Sequence, residues 1–145
     1  MIIIQFICRA ILLGVPLLYG SVGEIITEKS GHLNLGIPGI MYVGSIGGVI
    51  GAFFYEMACD AAGVALNPAL AILIPLLCSI ACSVIMGLVY SFLTVTLRAN
   101  QNVTGLAMTT LGVGISDFMI ASVEGYKFTA GAKFFNAHLP FAESL

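Results

Sequence analysis

Charge is what this sequence has least of. Of 145 residues, five are Lys or Arg and seven are Asp or Glu, which makes 8% of the chain, against about 25% in a soluble domain. So few charges cannot solvate a small globule, which leaves much of its area facing water. An ordinary soluble enzyme and a disordered tail are excluded. Nucleic-acid binding needs a basic footprint, and the net charge here is −2. Cys8, Cys59, Cys78 and Cys82 form no Cys-x-x-Cys pair, and His32 and His138 stand far apart. Neither a zinc site nor a disulfide framework fits that spacing. No Ser, His and Asp constellation suggests a hydrolase, so no catalytic residue, metal or cofactor is expected.

What the sequence has is hydrocarbon: 59% of residues are hydrophobic and the mean hydropathy is +1.08. Charge is absent from Leu35 to Tyr55, from Ala61 to Leu97 and from Ala99 to Ser116. A bilayer core about 30 Å thick takes roughly 20 apolar residues of helix. The expected fold is an all-α, polytopic transmembrane helix bundle in a single domain over residues 1–145. It has about four spans: Met1 to about Gly23, Ile40–Tyr55, Pro68 to about Leu97, and Val103–Val123. A β-barrel is excluded, because the silent runs do not alternate apolar with polar. Residues 124–145 read as an extramembrane tail.

Small residues repeat at helical spacing. Gly44 and Gly48, and Gly47 and Gly51, are four apart; Ser79, Ser83, Gly87 and Ser91 continue the same rule, while Gly105, Thr109, Gly112 and Ser116, three or four apart, fall within one arc. In lipid, where packing rather than hydrophobicity joins helices, such faces let backbones approach closely. Between the first two spans lies a polar stretch, Glu24 to Gly39, with Glu24, Glu28, Asn34 and Pro38 among its glycines. It reads either as a solvated loop or as a broken helix whose irregular backbone faces a cavity. Gly23 to Ser30 is a near miss to a phosphate loop. Glu28 replaces its second glycine and would repel phosphate, so the chain is not expected to bind ATP.

Gly23 to Met41, GEIITEKSGHLNLGIPGIM, resembles a segment of permease subunits of ATP-binding-cassette importers for simple sugars and nucleosides. That branch is related to ribose permeases and more distantly to branched-chain amino-acid permeases. Gly23, Glu24, Glu28, Ser30, Gly31, Asn34, Leu35, Gly36, Gly39 and Met41 match its pattern; Pro38 departs from it, where the family usually has Glu. Arg98 to Ser116, RANQNVTGLAMTTLGVGIS, is similar to the family's run opening a later helix.

The resemblance implies a multi-pass plasma-membrane permease, apparently an N-terminal half, working by alternating access. Its implied partners are ATP-binding-cassette ATPase subunits, a second permease, an extracytoplasmic solute-binding lipoprotein and the lipid bilayer. Asn34, Thr104, Thr109 and Asp117 are the expected pathway residues. Glu24 and Glu28 are structural or gating charges, and Gly44, Gly47, Gly48, Gly51, Ser83, Gly87, Gly105 and Gly112 are expected to serve helix packing. Residues 124–145 are expected to be extracytoplasmic. An ion-coupled carrier or channel, and a structural or non-functional permease remnant, are the competing readings.

Overall fold

The computed structural model describes residues 2–123. The expected tail, 124–145, lies outside the described residues. Four helices follow one another: α1 (Ile2–Lys29), α2 (Ile37–Ala62), α3 (Pro68–Ser91) and α4 (Gln101–Ala121). A π-helical turn, Phe92–Thr96, continues α3. All four are long and apolar enough to cross a membrane, and no strand occurs among the described residues.

Two helices run past the ends that the charges suggested. α1 does not stop at Gly23 but carries Glu24 and Glu28 to Lys29, and α2 carries Glu56 and Asp60 beyond Tyr55. Charge marks where a helix leaves hydrocarbon; backbone geometry marks where it ends. Both ends are set by a glycine in the left-handed region, Gly31 (φ 86°) and Gly63 (φ 63°). At each, the glycine N–H bonds back three residues and the next N–H bonds back five: Gly31 to Glu28 and His32 to Thr27, Gly63 to Asp60 and Val64 to Cys59. This closure satisfies carbonyls the helix end would otherwise orphan. Helix starts follow the expected chemistry. Asn67 caps α3 through Ala69 N–H, and Asn100 caps α4 through Asn102 and Val103 N–H, with Pro68 in the first turn of α3, where no donor is missed. Pro38 occupies the corresponding place in α2.

α2 is the centre. α3 packs antiparallel along one face of it and α4 lies on another. On the α3 side, a Cβ at Gly47 would meet Cys82 Sγ at 2.5 Å, one at Gly51 would meet Cys78 Sγ at 2.8 Å, and one at Gly44 would collide with Ser83 Oγ. Gly48 sits against the Pro75 carbonyl and Ser79. On the α4 side the neighbours are backbone: Gly39 against Met108 and Thr109, Gly112 against Gly39, and Gly105 against Leu35 and Gly36. Gly87 departs from this pattern, because a Cβ there would meet nothing within 4 Å. In the register set by Gly44 with Ser83 and Gly47 with Cys82 it lies level with about Ile40, but it lines a cavity beside the end of α1 instead of packing on α2. α1 leans on α2 through Gly20, which faces Met41 and Ile37. Its outer half is bare, with Phe6 71% and Leu13 75% exposed. Exposed hydrocarbon on that scale marks a surface made for lipid or another protein segment.

Candidate functional site

The polar stretch between α1 and α2 resolves into a short irregular joint, residues 30–36. Asn34 and Gly36 are buried in it. A backbone outside a helix leaves donors and acceptors that must find partners when buried. Here they come from three other helices. The Leu33 N–H donates to Gln101 Oε1 of α4 at 2.9 Å, and the Leu33 carbonyl accepts from the Tyr90 hydroxyl of α3 at 2.7 Å. The Asn34 N–H donates to Glu24 Oε1 of α1 at 3.1 Å. The Leu35 carbonyl accepts from the Thr109 hydroxyl at 2.8 Å. Asn34 Oδ1 accepts the Gly36 N–H at 2.9 Å and closes the turn locally.

The joint is recessed. Gly36 lies against Gly105 and Met108, four to seven residues into α4, or about 6–10 Å below its start at 1.5 Å per residue. Glycine at 105 permits this depth: a Cβ there would stand 2.9 Å from both Gly36 N and Leu35 N. Glu24 Oε2 is buried without a hydrogen-bond partner among the described residues, an unsatisfied acceptor beside the joint.

Two cavities flank the joint, and Asn34 lines both. One, of about 340 Å³, is bounded by the end of α1 and the last turns of α3, with Thr27, His32, Tyr90 and Thr94 in its wall. The other, of about 360 Å³, lies between α1 and α2 and holds Glu24 and Glu28. A larger space of about 530 Å³ between α2, α3 and α4 is walled almost wholly by carbon, from residues such as Ile46, Phe54 and Met119. It lacks the few placed polar groups that orient a ligand.

The residues singled out in the sequence therefore separate. Glu24, Asn34 and Thr109 meet at the joint, Glu28 lines the adjoining cavity, and Thr104 is buried beside Gly105. Asp117 is exposed near the far end of α4, about 18 Å along the helix from Gly105. Tyr90 and Gln101 escaped notice. The one available signal is that a tyrosine inside an apolar helix needs a partner for its hydroxyl.

The family described as branched-chain amino acid transport system / permease component has a model that matches residues 6–142. This chain belongs to that permease family. A protein of Haloferax volcanii provisionally named a glucose ABC transporter permease, TsgC13, is 34% identical over 102 residues, 70% of this chain and 27% of that one. The guanosine ABC transporter permease protein NupQ of Bacillus subtilis is 27% identical over 110 residues, 76% of this chain and 32% of that one. The permease chain thus spans about a third of the length of the curated relatives it matches. No solved structure matches it. Family membership and four spanning helices make it a multi-pass protein of the plasma membrane.

Proposed function

We propose that this chain is the membrane-spanning permease component of an ATP-driven importer for nucleosides or simple sugars and forms part of its translocation pathway by alternating access. The observation that carries the reading is the joint: irregular backbone recessed among spanning helices, tied to α1, α3 and α4, with a cavity on either side. Such backbone is tolerated at depth only where it is buried in protein or lines a cavity. The named transport roles of the two relatives support the solute class.

In this reading ATP is hydrolysed in separate ATP-binding-cassette subunits. A second permease completes the pathway, and an extracytoplasmic lipoprotein delivers the solute. Asn34, between the two cavities, is the leading pathway residue. Thr104, Thr109 and Asp117 extend the path along α4, and Glu24 and Glu28 act as gating charges. The Leu33–Gln101 bond brings both short polar connections to one end of the bundle. With Lys29 and Arg98 there, that end is cytoplasmic by the bias of short loops, and residues 124–145 fall on the opposite side.

The test is deletion of the reading frame from the source cells and uptake of labelled guanosine, ribose and glucose. Loss of uptake of one of them is expected. That uptake should require ATP and survive a protonophore while ATP is maintained. Unchanged uptake, or uptake driven by a cation gradient in ATP-depleted cells, contradicts the proposal.

A further inference from the structure

We infer that the cavity between the end of α1 and the last turns of α3 binds the hydroxyl-bearing ring of a neutral solute, recognising it through the solute's own O–H donors. The inference rests on the permease reading above and adds where, and by which chemistry, the solute is held.

The chemistry follows from how the wall spends its protons. A hydroxyl has one proton and two lone pairs. The Thr27 hydroxyl donates to the Glu24 carbonyl at 2.8 Å, Ser30 to the Thr27 carbonyl at 2.6 Å, Tyr90 to the Leu33 carbonyl at 2.7 Å, and Thr94 to the Tyr90 carbonyl at 2.9 Å. All four residues line the cavity. With those protons committed to the chain's own carbonyls, the hydroxyl oxygens keep only acceptor capacity. His32 adds to this. Its Nδ1 lies 3.3 Å from the Ser30 carbonyl; a carbonyl only accepts, so the tautomer that makes this bond carries its proton on Nδ1 and presents Nε2 as an acceptor.

Among the described residues that line this cavity there is no carboxylate and no Lys or Arg, so they favour a neutral solute. The Asn34 amide and the Ser91 hydroxyl add two groups that can donate as well as accept, and the rest of the wall is mostly carbon, from Gly87, Val95 and the methyl groups of the threonines. Carbon surface with a few acceptors suits a ring that presents C–H faces and O–H edges. The volume, about 340 Å³, falls at the lower end of the range for small-molecule sites, about 300–1,000 Å³. The two solute classes of the proposed importer share such a ring. A base or a second sugar need not be read here.

Two positions allow a clean test. A Cβ at Gly87 would meet nothing within 4 Å, so a side chain there enters the cavity without a clash at its root. Ser91 lines the cavity, and its hydroxyl makes no hydrogen bond between helices among the described residues. The experiment is uptake by source cells carrying chromosomal substitutions. The probes are labelled guanosine, ribose and glucose, with 2′-deoxyguanosine and 2-deoxyglucose as competitors.

Gly87→Leu is expected to abolish uptake with the chain still in the membrane and still co-purifying with its ATPase. Ser91→Ala is expected to raise KM roughly threefold to tenfold, the worth of one hydrogen bond, with Vmax kept, and Ser91→Thr to restore it. The deoxy competitors should be weaker by about tenfold. Normal uptake in Gly87→Leu, an unchanged KM in Ser91→Ala, or equal competition by the deoxy compounds overturns the site and leaves the permease reading standing. If Gly87→Leu is lost from the membrane, Ser91→Ala decides alone. Absence of ATP-dependent uptake of every probe in unaltered cells overturns both.

Discussion

Two of the three short connections among the described residues, residues 30–36 between α1 and α2 and residues 63–67 between α2 and α3, are built from the same local parts. Each begins with a left-handed glycine that closes a helix, and each contains an asparagine whose side chain accepts an N–H two residues on. Their surroundings differ. The second connection lies in the open, with Val64 62% exposed, and its outside help is the Tyr55 hydroxyl, bonded to the backbone of Asn67. The first is buried at Asn34 and Gly36 and held by Glu24, Tyr90, Gln101 and Thr109. Turn chemistry therefore decides that the chain reverses. Long-range polar contacts decide that one reversal becomes a recessed, cavity-flanked joint and the other stays a loop.

The largest expected effect that sharpens this contrast is at Gly105, whose added Cβ would press on the backbone of Leu35 and Gly36. Gly105→Ala should cost about 3 kcal/mol, the upper part of the usual range for overpacking, because backbone cannot rotate aside. Equilibrium unfolding in mixed micelles measures it. Next is Tyr90→Phe, which leaves the half-buried Leu33 carbonyl without its donor and should cost about 1–2 kcal/mol. The matching change in the open loop, Tyr55→Phe, should cost under about 0.5 kcal/mol, because water replaces the lost hydroxyl. Equal costs for the two tyrosines would break the comparison.

The spans were legible in the sequence because uncharged runs of helical length have one economical solution in lipid. The Asn67-Pro68 start of α3 was legible too, as was the small-residue contact between α2 and α3 at Gly44, Ser79 and Ser83. Helix ends were less so: Glu24 and Glu56 look like boundaries but ride inside helices that Gly31 and Gly63 terminate. The stripe through Gly87 and Ser91 looked continuous with Ser79 and Ser83. It divides because Gly87 faces the cavity beside the end of α1 rather than the backbone of α2. The pairing made by Tyr90 and Gln101 was not legible. Their partner, Leu33, is 57 and 68 residues away, and no periodic pattern encodes a pairing at that separation.

A smaller effect checks that the local parts are equivalent. Gly31 and Gly63 both adopt positive φ with nothing near a would-be Cβ. Gly31→Ala and Gly63→Ala should therefore each cost about 1–2 kcal/mol, the left-handed penalty alone, and should match each other in the same unfolding assay. A much greater cost at Gly31 would mean that the joint also needs glycine for packing there.

The central claim is that the backbone of the first connection is locked by other helices. Amide hydrogen exchange on the chain in lipid nanodiscs tests it most directly, comparing Leu33 and Asn34 with Ala65 and Leu66. The account predicts that the first pair exchanges as slowly as amides inside α2, while the second pair exchanges at the rate of open loop. Exchange of Leu33 and Asn34 as fast as that of Ala65 and Leu66 would contradict it.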